Sequence, residues 1–371
     1  MEETKSRFLN QYYEILSPNG IPKFLKEYIE TPEMKRIGTI SMNCGTDYTK
    51  IYNNKMFYSN LDHSIGVALI VWNFTKDKKQ TLAGLFHDVA TPAFKHCVDF
   101  MNGDYEKQES TEELTTKIIE NSTEIIKLLK RDNIKVEEVD DYKKYPIADN
   151  QTPQLSSDRF EYNFSGGFSL KDIWTLDEIR KVYNNIIILK NEEGIDELGF
   201  KDIKIAEYYI EKVSKLWPEW IINKDKTCMQ FIADCIKILY NEKEITKKDL
   251  YTLSEQEVID KIENSQNENL KRSFKKYRNA TTVKESNELQ KGKYCVSLTT
   301  KKRYLNPLVK IDKKAIRISD ASEKAKNIIE EYLNYKMLKY GYLNFNLETE
   351  RNKNDEWNIY TSKYSNLFFS N

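Results

Sequence analysis

The chain has 371 residues with 58 Lys and Arg against 58 Asp and Glu, so its formal net charge at pH 7 is zero. This balance removes the overall attraction to polyphosphate that nucleic-acid binders usually show, and it argues against a nucleic-acid partner. Glycine (12) and proline (8) are both scarce, which excludes a collagen-like chain and disfavours a turn-rich β-sandwich. A mainly α protein of two or three domains is the expectation for this length and composition.

Hydropathy and cysteine spacing indicate the cellular compartment in which the protein is expected. The sequence contains no apolar window of about 18 residues, and it starts with a charged, amphipathic segment rather than a leader-like one. None of the five cysteines is spaced as CxxC, which disfavours a disulfide framework or a thiolate zinc site. We therefore expect a soluble cytoplasmic protein without membrane contact, whose cysteines are small buried hydrophobic residues.

The first hundred residues predict a series of short helices. Residues 7–45 carry apolar side chains at helical spacing, interrupted at Thr31-Pro32, where a proline disfavours a continuous helix. Residues 63–74 are apolar almost all round, which is typical of a helix at the centre of a domain. Residues 80–89 and 93–101 predict two more helices with a proline break between them. Together these segments predict a compact helical bundle.

The rest of the chain mixes helices with a few short strands. Ser110-x-x-Glu113 has the form of a capping box and predicts a helix that continues to Leu129, and Ser254-x-x-Glu257 predicts another helix start. Segments rich in β-branched residues flank residues 191–194 and predict a hairpin. Further expected helices cover 203–216, 226–240 and 322–337, and further expected strands cover 294–298 and 315–318.

The histidines are clustered. All three of them, His63, His87 and His96, fall within 34 positions. His63 opens the apolar 63–74 helix, His87 ends the next helix together with Asp88, and His96 lies on the third. A lone histidine is more often structural, but imidazoles and a carboxylate brought together from helix ends suit a divalent metal such as Mn, Fe, Ni or Zn. The sequence therefore predicts a metal site.

Three stretches around these residues, NLDHSIGVALIVW, TLAGLFHDVATPAFKHCVDF and LSSDRFEYNF, carry a family resemblance. They resemble the HD-domain phosphohydrolase superfamily and, within it, the deoxynucleoside triphosphate triphosphohydrolase (dGTPase-like) branch. The resemblance implies an HD-domain helical bundle with additional helices and a small β-containing C-terminal lobe. It also implies a divalent metal drawn from Mn, Mg, Fe, Ni, Co and Zn, ligated by His63, His87, Asp88 and Asp158.

The same resemblance implies roles for residues near the metal ligands. Arg159 matches a basic residue that binds phosphate, Tyr162 matches a residue near the sugar, and Lys224 matches a basic residue that reaches the polyphosphate. His96 matches a catalytic histidine and Asp99 its acidic companion. A histidine at that position would protonate the departing 5′ oxygen, and an acid three residues on would bias its protonation.

The expected organisation has three parts: an HD-domain metal-binding core over residues 1–175, a helical extension completing the active-site cleft over 176–285, and a small α+β lobe over 286–371. The expected partner is a nucleotide substrate. Because relatives of this branch commonly assemble, the resemblance also implies a homo-oligomer.

Several positions depart from the usual pattern of the branch, including Met42-Asn43-Cys44, which stands where a Gln-Leu-Gly pattern is usual. Thr91 stands where an imidazole or amide is usual, Gln108 where a further histidine is often found, and Asn60 where an arginine is usual. The leading hypothesis is a metal-dependent phosphohydrolase that cuts a deoxynucleoside triphosphate to deoxynucleoside and triphosphate. One alternative is a nucleotidase or other phosphomonoesterase on the same site. The other, which the departures favour, is a nucleotide-sensing protein with weak turnover.

Overall fold

The computed structural model describes residues 2–108 and 114–347. Helices dominate and the strands form two small sheets, which confirms the prediction of a mainly α protein with a small β region. The first nine helices are α1 Glu2–Leu16, α2 Lys23–Ile29, α3 Pro32–Ile37, α4 Asn60–Thr75, α5 Lys78–Phe86, α6 His96–Met101, α7 Thr115–Asn121, α8 Thr123–Arg131 and α9 Ser157–Ser169. The next eight are α10 Leu176–Tyr183, α11 Ile203–Val213, α12 Asn223–Asn241, α13 Lys247–Thr252, α14 Glu255–Glu263, α15 Glu268–Asn279, α16 Ile318–Ala321 and α17 Glu323–Leu333.

Helix α4 lies at the centre of the fold, as its sequence predicts. Eleven of its 16 residues are buried, and it packs against α1, α5 and α9. Its start is fixed by a capping box, in which the Ser59 hydroxyl accepts from the Asp62 amide and the Asp62 carboxylate accepts from the Ser59 amide. The first turn of α4 is therefore held firmly where α5 ends and α9 begins.

Two predicted features of the helices have different outcomes. The break at Thr31 is confirmed, since α3 begins at Pro32 with Thr31 as its cap. The Ser110-x-x-Glu113 capping box lies outside the described residues. The single helix predicted to follow it is wrong, because the structure divides that segment into α7 and α8 at Ser122. The Ser122 hydroxyl accepts from the Ile125 amide and starts a new helix there.

The strands form two sheets within the described residues. The strands are β1 Ile186–Lys190, β2 Asp196–Phe200, β3 Lys284–Ser286, β4 Tyr294–Val296, β5 Leu308–Ile311, β6 Lys314–Arg317 and β7 Tyr340–Leu343. A four-stranded sheet has the order β1-β2-β5-β6, and a three-stranded sheet has the order β3-β7-β4. The predicted hairpin is confirmed, since β1 and β2 pair in antiparallel fashion with Ile186 opposite Phe200. The pairing of β2 with β5 is parallel and sets Gly199 opposite Leu308.

The core of the described residues contains two large hydrophobic clusters. The larger one includes side chains of α1–α5 and α7–α11 together with the four-stranded sheet, and the smaller one is built around α6, α12, α14 and α15. Residues after 286 contribute to both clusters, for example Val309 to the larger and Leu343 to the smaller. The three-part division at residues 175/176 and 285/286 stays a prediction.

Two further expectations concern the cysteines and the absence of membrane-spanning helices. All five cysteines are buried and unpaired by disulfides, which confirms their interpretation as small core residues. Among the helices of the described residues, none combines the length and apolar character needed to cross a bilayer.

Candidate metal centre and its cavity

The ends of three helices bring the four predicted metal ligands together. His63 lies in the first turn of α4, His87 caps the end of α5 with Asp88 next to it, and Asp158 lies in the first turn of α9. The Nε2 atoms of His63 and His87 are 3.2 Å apart. Asp158 Oδ1 lies 3.0 Å from the first of these nitrogens and 3.7 Å from the second. Asp88 Oδ2 lies 3.6 Å from His87 Nε2.

Both imidazoles are oriented by bonds through their other ring nitrogen. His63 Nδ1 forms a short hydrogen bond with the buried carboxylate of Glu161, and His87 Nδ1 lies 2.7 Å from the Gly84 carbonyl oxygen. These acceptors fix the tautomer with the proton on Nδ1. When both imidazoles are neutral, their Nε2 lone pairs therefore face the space between the two rings and Asp158.

The charges of the cluster depend on one another. Burial alone lowers the pKa of His63, but Glu161 and Asp158 outweigh burial and raise it to about 9. Burial raises the pKa of Asp158, yet the hydrogen bond and charge of His63 more than offset this and lower it to about 2. His63 would have to give up its Nε2 proton to bind a divalent ion here, so metal affinity is expected to fall as the pH falls.

The donor set fits a divalent metal ion. Ligand atoms of His63, His87 and Asp88 all lie within 4.8 Å of one another, and Asp158 Oδ1 is within 3.7 Å of both imidazoles. Two neutral nitrogens and two carboxylates suit a first-row transition ion in this geometry. Both histidines are buried and both aspartates are partly open to a cavity, so the arrangement leaves one side accessible to a substrate.

Glu161 is a functional residue that the sequence did not reveal. Its carboxylate is fully buried and accepts from the hydroxyls of Tyr12 (3.1 Å), Tyr58 (2.6 Å) and Ser165 (3.1 Å) in addition to His63. A Cβ atom on Gly66 would lie 2.7 Å from Glu161 Cγ, so the glycine lets the carboxylate approach α4. Gly66 lies three residues after His63 on α4, and Glu161 lies three residues after Asp158 on α9. These two spacings are the sequence signal that could have indicated the contact between Gly66 and Glu161.

Replacing Glu161 by glutamine is expected to weaken metal binding while leaving the protein folded. An amide has one acceptor oxygen where the carboxylate has two, so it cannot satisfy His63 and three hydroxyls at once. Loss of such an orienting partner typically costs about 10–100-fold in metal affinity. Calorimetric titration with Mn²⁺ measures this. Tyr58→Phe, which removes one donor but keeps the carboxylate, serves as the matched control with a smaller effect. Unchanged Mn²⁺ affinity in Glu161→Gln would show that the bond does not orient His63.

The four predicted metal ligands line a cavity of about 1020 Å³ that is also lined by the residues predicted to bind substrate. Tyr162 lies on the wall with its ring edge-on to Trp220, at a centroid distance of 5.2 Å. Lys224 lies over the ring of Tyr52 at 4.0 Å and 3.7 Å from Glu219. The cavity therefore brings Tyr162 and Lys224 to the same space as the metal ligands, and their roles in binding stay predictions.

Arg159 also lines the cavity, but its guanidinium is bound by residues that precede α9 and by Ser156, the N-cap of that helix. Its guanidinium lies 3.2 Å from Asp149 and 2.5 Å from Asn150 Oδ1, and it also donates to the Asn150 carbonyl and, at 3.2 Å, to Ser156 Oγ. A phosphate would recruit Arg159 only in exchange for some of these partners. Arg303, which lies far from Arg159 in the sequence, lines the same cavity and donates to Gln108 Oε1 at 2.8 Å. It is a further basic residue of the cavity that the sequence analysis did not identify.

The predicted acid pair is formed. His96 Nδ1 lies 2.9 Å from Asp99 Oδ2, one turn further along α6. The Asp99 side chain is fully buried whereas the His96 side chain is 32% exposed, and His96 lines the cavity. With Nδ1 held by the aspartate, Nε2 is the ring nitrogen left to give a proton to a substrate.

Comparison with known proteins places the fold but not the activity. No protein-family model matches the sequence. An uncharacterised protein of Bacillus subtilis strain 168, YdhJ, is 24% identical over 318 residues, which cover 85% of this chain and 93% of that protein. A hypothetical protein from Aquifex aeolicus has a similar structure, with a TM-score of 0.60, 14% identity, and coverage of 87% of this chain and 92% of that one.

A second solved structure carries a functional name. The phosphohydrolase from Bacteroides thetaiotaomicron VPI-5482 matches with a TM-score of 0.59 and 13% identity, over 87% of this chain and 96% of that chain. At this identity the likeness is one of fold. The chain therefore shares its fold with a phosphohydrolase, along almost the whole length of both.

Proposed function

We propose that this protein is a metal-dependent phosphohydrolase of the HD type that acts on nucleotides. The observation that carries the proposal is the convergence of His63, His87 and Asp88 with Asp158 at the wall of a large cavity. The fold shared with a phosphohydrolase supports it. The cavity is wide enough for a whole nucleotide, since ligand pockets are typically about 300–1,000 Å³.

The residues of this chain divide the chemistry between them. A divalent ion bound by the four ligands would lower the pKa of a water molecule and neutralise a phosphoryl oxygen. Lys224 and Arg159 would hold further phosphate oxygens, the first as a point charge and the second as a planar fork. Tyr162, whose burial raises its pKa to about 12, stays a neutral hydroxyl that can hydrogen-bond a sugar.

The preferred substrate in this proposal is a deoxynucleoside triphosphate. Water adds to the α-phosphorus, the bond from that phosphorus to the 5′ oxygen breaks, and His96 gives its proton to the departing oxygen. Asp99 holds the imidazole in position for this step. The products are a deoxynucleoside and triphosphate, and His96 regains a proton from the water that is consumed. A cytoplasmic homo-oligomer belongs to the same proposal.

A panel of ribonucleotides and deoxynucleotides tests the reaction class. Purified protein is incubated with each mono- and triphosphate in Mn²⁺, Mg²⁺ or Co²⁺, and the products are separated by anion-exchange chromatography. Release of triphosphate supports the proposal, whereas release of inorganic phosphate from monophosphates indicates a nucleotidase on the same site. Thermal stabilisation by nucleotides without any product would instead indicate a nucleotide sensor.

A further inference from the structure

Lys95 is a buried cation at the metal centre that neither the sequence pattern nor the proposed reaction accounts for. Its residue is 6% exposed, and it lines the cavity beside the metal ligands. The ammonium nitrogen lies 2.8 Å from Asp88 Oδ2, 2.6 Å from Asn60 Oδ1 and 3.2 Å from Met42 Sδ. One carboxylate oxygen of a proposed metal ligand is therefore already bound by a positive charge of the protein itself.

The backbone that delivers Lys95 is held in an unfavourable conformation. Phe94 and Lys95 have φ of +65° and +46°, a region that non-glycine residues rarely adopt. Contacts from α13 and α14 maintain it: Leu250 accepts from the Ala93 amide at 2.7 Å, and Glu255 accepts from the Phe94 amide at 3.2 Å. The turn points the Lys95 side chain at Asp88 while the next residue, His96, begins α6.

We propose that Lys95 is a fixed cationic element of the active centre, which holds one oxygen of Asp88 and binds a phosphoryl oxygen of the substrate beside the metal site. This inference rests on the proposed function, because it takes a phosphate-bearing substrate as the ligand of the cavity. It adds a substrate-binding residue to that proposal.

The hydrogen bonds of the ammonium leave a place for that oxygen. Lys carries three donors, and two of them meet strong acceptors on Asp88 and Asn60. The third nearby atom is the Met42 thioether sulfur, which is only a weak acceptor. An anionic phosphoryl oxygen is a far better partner, since charge-assisted hydrogen bonds are about twice as strong as neutral ones.

Charge balance points the same way. The carboxylates of Asp88, Asp158 and Glu161 carry three negative charges, and one divalent ion would offset two of them when both histidines bind as neutral imidazoles. Lys95 supplies the remaining positive charge, so a substrate phosphate would meet a neutral centre rather than an anionic one.

Two equilibrium measurements on Lys95→Met test the inference. Mn²⁺ stoichiometry and affinity are measured by calorimetry and elemental analysis, and affinity for inorganic tripolyphosphate is measured on the Mn²⁺-loaded protein. Wild-type protein is expected to bind one Mn²⁺ per chain. The variant is expected to keep one Mn²⁺ at equal or higher affinity, while its tripolyphosphate affinity falls by about 10-fold or more, the range typical of a lost charged hydrogen bond.

The controls make the outcomes distinct. Lys226→Met replaces another buried lysine, whose ammonium binds the Leu298 carbonyl at 2.7 Å outside the cavity, and should change neither affinity. Lys95→Gln gives the same readouts should the methionine variant fail to fold. Unchanged tripolyphosphate affinity, or joint loss of metal and tripolyphosphate, would each overturn the inference. Because these are binding measurements, failure to turn over any nucleotide would count against the proposed function alone.

Discussion

Replacement of His87 by alanine is expected to remove tight divalent metal binding and, with it, all phosphohydrolase activity. His87 Nε2 lies within 3.7 Å of His63 Nε2, Asp88 Oδ2 and Asp158 Oδ1. Its loss therefore removes the ligand atom that lies near all three of the others. Even changes to an outer partner cost about 10–100-fold in metal affinity, and removal of a ligand itself should exceed that. Elemental analysis after dialysis against Mn²⁺, together with calorimetric titration, measures the loss.

The chain provides a matched control for this variant. His96 is the one other histidine outside the ligand set, and His96→Ala should retain wild-type metal content. Asp158→Ala extends the test to the distant ligand. If Asp158→Ala keeps its metal while His87→Ala loses it, Asp158 does not ligate the ion. If His87→Ala itself keeps its metal, the centre proposed here is wrong.

His96→Ala is expected to lower turnover by about 10²- to 10⁴-fold, the contribution typical of a positioned general acid. Metal affinity should be unchanged, and nucleotide binding should be nearly so, because His96 acts on the leaving oxygen in the transition state. Asp99→Asn should give a smaller loss, since the amide keeps the size of the side chain but not its charge beside Nδ1. Rates are compared under saturating nucleotide with metal-loaded protein.

The contrast between rate and binding separates an acid role from a structural one. A His96→Ala protein that turns over nucleotide at the wild-type rate, or that loses metal and nucleotide affinity together with the rate, would remove His96 from its proposed role as the acid.

The sequence predicts the central part of the site because its elements are local. The apolar run of α4 shows a buried helix directly, since no face of it carries a polar stripe. His87-Asp88 at the end of the next helix then lies near α4, because short connections keep consecutive helices adjacent. Asp158 comes from far along the chain, and only the family resemblance identified it before the structure did.

The missed elements depend on distant pairing. Strand β5 gains its partner β2 more than a hundred residues earlier, with Leu308 opposite Gly199, and three-residue β3 exists only through its pairing with β7. Such strands carry little periodicity of their own, and tertiary context decides them. The predicted strands at 294–298 and 315–318 are confirmed, the first as the shorter β4 and the second as β6, which starts one residue earlier.

The missed site residues have a similar cause. Lys95 reads as a surface lysine on the sequence, and only the left-handed turn at Phe94 and Lys95 buries its ammonium against Asp88. Glu161 reads as a helix carboxylate, and its role becomes visible when Tyr12 and Tyr58 are seen to donate to it. Buried charges are recognised by their partners. The tyrosines that donate to Glu161 lie about 100 to 150 residues away in sequence, whereas Lys95 reaches the nearby Asp88 only through a turn that the local sequence does not signal.

The most direct test of a metal-dependent nucleotide phosphohydrolase is a metal-restoration assay. Metal-stripped protein is mixed with each deoxynucleoside triphosphate, and ³¹P NMR follows the phosphorus-containing products before and after one equivalent of Mn²⁺ is added. The account predicts no reaction before Mn²⁺ is added, and formation of triphosphate and deoxynucleoside in equal amounts afterwards. The His87→Ala variant is expected to form no product under either condition. Product formation that is the same with and without metal, or in His87→Ala, would contradict it.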